Sequence, residues 1–226
     1  MTACRQIDAV LFDLDGTLLD TAPDMATALN RLLVEQERTA LPYEQLRPVV
    51  SHGTTGLLTA GFGSEIEPDL WTHLSSRFLN LYAETLAVDT ALFDGVGELL
   101  ETIEAQGLRW GIVTNKPGWL TERVLEELGV FEQAGCVVSG DSLDQRKPHP
   151  APLHHAAALL DTEPQKCIYV GDAERDIQAG RAAGMLTLVA TYGYIQDHET
   201  PEDWNADGAL SHPLELKRWL NGGSAD

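Results

Sequence analysis

Four short clusters carry the side chains with which this sequence can do chemistry. The first is the pair Asp13 and Asp15, two apart in the string DAVLFDLDGTLLD that runs from residue 8 to residue 20. The second is Thr114 with Asn115, the third is Lys147 in KPHP, and the fourth is Gly171-Asp172 followed by Asp176. Two carboxylates as close as Asp13 and Asp15 repel one another and are costly to bury unless a cation or a proton compensates, and a divalent metal is the natural remedy. A threonine hydroxyl, a side-chain amide and backbone N–H groups suit phosphate oxygens, and a lysine offsets anionic charge. Each cluster also has an ordinary structural reading: an Asp-Gly turn, a strand-to-helix cap, a solvated lysine, acids at a helix start. Together they are the parts of a phosphoryl-transfer site.

Those parts must sit on elements that bring them to one place. Ala9-Val10-Leu11-Phe12 is a short apolar run of the kind buried on both faces of a sheet, and Gly16 lets the chain turn sharply after the acids. Further strands are expected over residues 108–114, 136–139, 166–170 and 185–190, alternating with helices stopped by Gly107, Gly129 and Gly184. Such alternation favours a parallel sheet, whose C-terminal edge is where ligands bind. Residues 21–87 read differently, as helices without a convincing strand. One helix starts near Pro23 with Thr21 or Asp20 as its cap and runs to Glu37. A second covers residues 43–50 and ends at a polar loop, Ser51-His52-Gly53-Thr54-Thr55-Gly56. A third is short, at residues 57–60. A fourth covers residues 68–87, with Leu70, Leu74, Phe78, Leu81 and Tyr82 on its apolar side.

Composition narrows the partners. Among 226 residues, 35 are acidic and 15 are lysine or arginine, for a formal net charge of −20, which disfavours nucleic acid and anionic membrane. No apolar run approaches the about 18 to 20 residues of a membrane-spanning helix. The N-terminal residues lack a signal-peptide pattern, so a cytoplasmic protein is expected. The three cysteines, Cys4, Cys136 and Cys167, are scattered singly and support neither a disulfide framework nor a zinc site.

The strings FDLDGTLLDT (12–21), VTNK (113–116), KPHP (147–150) and GDAERD (171–176) occur in one order along the chain. In that order they resemble the haloacid dehalogenase superfamily of phosphatases, in the form with a helical cap inserted after the first strand. The resemblance implies an α/β fold, a doubly wound (Rossmann-like) parallel sheet of order 5-4-1-2-3. Its catalytic core would be residues 1–20 and 88–226, and its helical cap residues 21–87. It implies Asp13 as nucleophile and Asp15 as general acid and base. Mg²⁺ would be held by the Asp13 carboxylate, the Asp15 carbonyl and Asp172. Thr114, Asn115 and Lys147 would bind phosphate, with Thr114 and Lys147 also counted in the catalytic set. Asp176 and Gly171 would support them. Within the superfamily the pattern is similar to phosphoglycolate phosphatases. The strings LRWGIVTNKP (108–117), TYGYI (191–195) and WNADGALSHPLEL (204–216) resemble the N-acetylmuramic acid 6-phosphate phosphatases more closely still.

One departure bears on substrate. Related caps often carry an arginine or lysine in the substrate loop, whereas Ser51, His52, Gly53 and Thr54 offer a hydroxyl pair, an imidazole and backbone N–H groups, with Arg47 the nearest guanidinium. Neutral donors of this kind suit a ring bearing hydroxyl and amide groups. The expected activity is therefore Mg²⁺-dependent phosphomonoester hydrolysis through an aspartyl-phosphate, with N-acetylmuramate 6-phosphate as substrate. The alternatives are 2-phosphoglycolate or a sugar phosphomutase on the same fold. The expected partner is a small phosphorylated metabolite, not nucleic acid or membrane, and the protein a monomer or homodimer.

Overall fold

Strand β1 (Ala9–Phe12) is buried along its whole length, and strand alternation sends Val10 and Phe12 into one apolar cluster and Ala9 and Leu11 into another. The structure, a computed structural model, describes residues 6–220. After β1 come β2 (Leu19–Asp20), α1 (Ala22–Glu35), α2 (Tyr43–Leu46), a 3₁₀ turn (Arg47–His52), α3 (Gly53–Phe62) and α4 (Pro68–Glu84). The chain returns through β3 (Ala91–Leu92) and then alternates: α5 (Val96–Ala105), β4 (Arg109–Val113), α6 (Gly118–Glu127), β5 (Val137–Val138), α7 (Ala151–Leu159), β6 (Cys167–Gly171), α8 (Glu174–Ala182) and β7 (Leu186–Ala190). It ends with β8 (Gly208–Leu210) and α9 (Leu216–Leu220).

The main sheet is parallel, in the order β5-β4-β1-β6-β7-β8, with β1 in register against β4 on one side and β6 on the other. Counted along this sheet alone, five strands follow the order expected from the sequence, and β8 adds a sixth at the edge. Residues 208–210 are too few to show a period. A neighbouring side chain fixes the added edge: Asp207 Oδ2 accepts from Thr187 N–H at 2.8 Å and the Asp207 N–H donates to Thr187 O. The sheet fold places all the strand-end clusters at one edge, which is what the site requires.

Residues 22–84 hold helices and no strand. On α4, Leu74, Phe78, Leu81 and Tyr82 are buried as expected, but Leu70 in the first turn is exposed. The expected cap of α1 is also corrected. Thr21 stands at the N-cap without a side-chain cap bond, and its hydroxyl donates instead to Asp15 Oδ1 at 2.7 Å. The expected loop at 51–56 is mostly helix: Ser51 and His52 close the 3₁₀ turn, and Gly53 and Thr54 begin α3. Gly53 takes a left-handed φ of 58°, which punctuates the two helices, and a Cβ on Gly56 would press into the Val49 carbonyl and His52 Cβ. Glycine here permits close packing of one helix on the next.

The segments entering and leaving this helical stretch pair with each other. β2 and β3 form an antiparallel ladder, Leu19 opposite Leu92 and Asp20 opposite Ala91. Beside it the buried Asp24 carboxylate accepts from the backbone N–H groups of Val88, Asp89 and Thr90 and from the Thr90 hydroxyl at 2.6 Å. No described helix is long and apolar enough to cross a membrane.

Candidate active site

The C-terminal ends of β1, β4 and β6 deliver Asp13, Thr114 and Asp172 to one edge, and the first turn of α8 delivers Asp176. Asp13 is fixed through its backbone, whose N–H donates to Val170 O on β6 at 2.8 Å. Gly16 then turns with φ 85°, and a Cβ there would run into the Asp172 carboxylate and the Tyr194 ring. Only glycine fits this turn.

Asp13, Asp172 and Asp176 form an acidic cluster whose ligand atoms lie within 4.8 Å of one another, with all three side chains buried. Lys147, 2% exposed, enters between two of them: its Nζ is 2.8 Å from both Asp13 Oδ1 and Asp176 Oδ1. The same ammonium donates to Val113 O and the Tyr169 hydroxyl, each at 2.8 Å. One cation among three acids leaves charge uncompensated. Burial, and then repulsion from Asp176, raises Asp13 to about 6 against the opposing pull of Lys147 and Arg175. Burial, with Asp13 and Asp176, raises Asp172 to about 7. For Asp176 burial also acts upward, but Lys147 and Arg175 outweigh it and hold the group below its ordinary value.

Asp172 also carries an orphaned atom. Its Oδ2 accepts from the Ser51 hydroxyl and from Tyr194 N–H at 2.9 Å, while its Oδ1 is buried without a hydrogen-bond partner. A buried carboxylate oxygen left unpaired in a net-negative cluster fits a hard divalent cation, which takes oxygen ligands. Asp13 and Asp172 therefore suit the metal expected there.

The remaining expected residues take distinct places. Asp15 Oδ1 accepts from Thr21 Oγ1 and from Lys116 Nζ at 2.9 Å. Thr114 is buried at the end of β4, its N–H bonded to Val138 O and its hydroxyl accepting from Lys116 N–H. Asn115 has a second task. Its side chain donates to Lys147 O at 2.9 Å and accepts from Lys147 N–H at 3.1 Å, so the amide holds the lysine's backbone. For a phosphate oxygen Asn115 keeps its own N–H and the second hydrogen of its amide. Gly171 lets Asp176 approach, since a Cβ there would overlap the Asp176 side chain.

Four contacts bring the helical stretch over these acids. Ser51 bonds Asp172, and Arg175 on α8 donates to the Ser51 carbonyl. Arg47, whose direction the sequence left open, donates to Gly193 O and Tyr192 O and lies 4.9 Å over the Tyr194 ring. Lys116 donates to the Tyr82 hydroxyl on α4 at 2.9 Å. Burial acts to lower Lys116, but Asp15 and Tyr82 outweigh it and keep it protonated, while burial pushes Tyr82 up to about 12. His52 sits at the rim, its Nδ1 3.4 Å from Gln196 Nε2, and partial burial followed by Arg175 lowers its imidazole below the usual value. Lys116 and Arg175 stand in the strings VTNK and GDAERD, where no local pattern marks a role for them. Their partners, Tyr82 and Ser51, lie 34 and 124 residues away.

A six-stranded parallel sheet with carboxylates and a buried lysine at one edge defines a hydrolase site of haloacid dehalogenase type, and the chain belongs to that family: residues 10–190 match the model of the haloacid dehalogenase-like hydrolases. Among named relatives, it is 43% identical over 208 residues to a phosphoglycolate phosphatase of Xanthomonas campestris pv. campestris (strain 8004), covering 92% of this chain and 94% of the relative. It is 39% identical over 216 residues to an N-acetylmuramic acid 6-phosphate phosphatase of Pseudomonas putida KT2440, covering 96% and 97%. The crystal structure of a predicted phosphoglycolate phosphatase from Haemophilus somnus 129pt superposes with a TM-score of 0.84 at 26% identity, covering 96% of this chain and 99% of that one. The chain is an enzyme, and the phosphatase class expected from its motifs agrees with the names of these relatives.

Proposed function

We propose that the protein is a Mg²⁺-dependent phosphomonoester hydrolase of the cytoplasm, that it acts through an aspartyl-phosphate on Asp13, and that its substrate is N-acetylmuramate 6-phosphate. The observation that carries the reaction type is the position of Lys147 between Asp13 and Asp176, next to an Asp172 oxygen that has no partner. A second substrate, 2-phosphoglycolate, is favoured by the name of the 43% identical relative. Both molecules join a phosphate monoester to a carboxylate.

Asp13 Oδ1 accepts from Lys147 Nζ and from Leu14 N–H at 2.7 Å, which leaves Oδ2 as the attacking oxygen. Lys147 offsets the charge that a carboxylate meets on approaching a phosphate. Asp15 is held through Oδ1 by Thr21 and Lys116, so its Oδ2 hands a proton to the leaving alkoxide and later takes one from the water that attacks the acyl phosphate. Asn115 keeps Lys147 in place through its backbone, and its own N–H at the end of β4 is offered to the transferring oxygens. Mg²⁺, held by Asp13, the Asp15 carbonyl and Asp172, would supply charge neutralisation for the phosphate and keep the acids ionised.

Residues 21–87 are proposed to act as a cap domain that opens for substrate and closes through Ser51, Arg47 and Tyr82. Closure excludes bulk water from the acidic cleft while Asp13 attacks, and opening admits the water that hydrolyses the acyl phosphate. The test is phosphate release with Mg²⁺ from N-acetylmuramate 6-phosphate and 2-phosphoglycolate side by side. We expect kcat/KM to be about tenfold or more higher on the sugar phosphate. A preference for phosphoglycolate overturns the sugar assignment, and the absence of phosphate release from both overturns the reaction.

A further inference from the structure

Four cations border the acidic cluster and the helical stretch, and three are each held by two or more partners. Lys147 has four named partners, Lys116 joins Asp15 to Tyr82, and Arg47 is held on two backbone carbonyls and the Tyr194 ring. Arg175 differs. Its Nη2 donates to the Ser51 carbonyl, and no carboxylate oxygen among the described residues lies within ion-pair distance of it. It nonetheless sits among charges, close enough to Asp176, Asp13 and Asp172 to be held protonated by them against burial. A guanidinium offers five N–H donors in a planar fork, and one carbonyl uses one of them.

We infer that Arg175, placed between the Ser51 carbonyl and the acidic cluster, is the residue that reads the carboxylate of the substrate. The inference rests on the phosphatase reading above and names the chemical class its substrates share: phosphomonoesters that also bear a carboxylate. Arg175 comes from the first turn of α8, one residue before Asp176, so its fork lies at the boundary between the reacting phosphate and the residues of the helical stretch. A carboxylate three bonds from phosphorus, as in 2-phosphoglycolate, or one carried on the flexible lactyl arm of N-acetylmuramate 6-phosphate, is brought to that boundary when the phosphate meets Asp13. In a protein of net charge −20, and beside three carboxylates, a second anionic group on the substrate needs a local cation to enter. The other candidate at this rim, His52, is kept toward its neutral form by partial burial and by Arg175 itself, and is suited to a hydroxyl. The absence of arginine and lysine from residues 51–56 is thereby answered from the opposite wall: the charge is supplied by α8, and Ser51 aims it.

The test compares two pairs of esters that differ in the carboxylate: 2-phosphoglycolate with 2-hydroxyethyl phosphate, and N-acetylmuramate 6-phosphate with N-acetylglucosamine 6-phosphate. For wild type, Arg175→Gln and Arg175→Lys, kcat/KM is measured on all four, with circular dichroism and thermal melting reporting that each variant is folded. In Arg175→Gln the preference for the carboxylate-bearing member of the better-used pair falls about 30-fold or more, chiefly through KM, as expected for losing a charge-assisted fork. Arg175→Lys recovers part of it. Equal losses on both members of a pair, or a wild type that prefers the carboxylate-free ester, overturn this inference and leave the phosphatase reading intact. A wild type inactive on every ester overturns both.

Discussion

Lys116 Nζ lies 2.9 Å from the Tyr82 hydroxyl, a contact between the segment after β4 and helix α4, and the same ammonium lies 2.9 Å from Asp15 Oδ1. The arrangement couples the position of the helical stretch to the orientation of the acid and base. Lys116→Met is expected to lower kcat about 10- to 100-fold and Tyr82→Phe about 2- to 10-fold, since a charged donor contributes more than a neutral one. Because both act on one hydrogen-bonded chain, the double variant should resemble Lys116→Met alone. Additive losses in a double-mutant cycle would show that the contact does not serve Asp15.

The raised acids give a pH dependence whose sign is opposite to that of an ordinary salt bridge. Asp13 at about 6 and Asp172 at about 7 hold protons in the metal-free folded protein that the unfolded chain, near 3.8, has released. The folded state therefore binds more protons between about pH 4 and 7, and these two groups remove stability as pH rises through that window. Asp172→Asn keeps the acceptor for Ser51 and Tyr194 and removes the charge. It should raise the metal-free melting temperature at pH 8 more than at pH 5, by about 2 to 4 °C per kcal/mol recovered. It should also weaken the rise in melting temperature that Mg²⁺ gives the native protein. A variant destabilised equally at both pH values would contradict the assignment of Asp172 as an uncompensated acid.

Lys147 is the only cation within ion-pair distance of Asp13 and Asp176 among the described residues. Lys147→Met leaves two buried carboxylates without it, and the expected loss is on the order of 3–5 kcal/mol in chemical denaturation, together with the loss of turnover. Adding Asp176→Asn should restore part of the stability and none of the activity. Full stability in Lys147→Met would mean that the acids find another counter-charge.

Asp24 gathers the N–H groups of Val88, Asp89 and Thr90 where the chain leaves the helical stretch. Asp24→Ala strands these donors, at a cost of about 1–3 kcal/mol for a buried group left unpaired. Limited proteolysis should then cut residues 85–93 faster than in the native protein, with β2 and β3 unzipping together. An unchanged cleavage rate would show that the β2–β3 ladder holds this return by itself.

The sheet and the acids were legible because they depend on local pattern. Ala9 to Phe12 is apolar and ends at Asp13, and Gly107, Gly129 and Gly184 all take positive φ at helix ends, as their positions in the sequence suggest. What was not legible depends on chain distant in sequence. Asn115 reads as a phosphate donor, and its second task, holding the backbone of Lys147 32 residues on, shows only in the folded chain. Ser51 to Gly56 reads as a loop because glycine and threonine disfavour helix, yet Gly56 is placed in one by its approach to Val49, a tertiary preference that overrides propensity. Lys116 and Arg175 gain their meaning only when Tyr82 and Ser51 arrive from the helical stretch. Strand β8, three residues long, becomes a strand because β7 offers it an edge.

The most direct measurement is chemical trapping of the covalent intermediate. The enzyme is mixed with Mg²⁺ and excess N-acetylmuramate 6-phosphate, quenched in acid during turnover, reduced with borohydride and mapped by mass spectrometry. An acyl phosphate on Asp13 is reduced to homoserine, so the account predicts homoserine at position 13 in the native enzyme and none in Asp13→Asn, whose turnover should also vanish. Rapid phosphate release with no modification at residue 13, or modification at Asp15 or Asp172 instead, would contradict it.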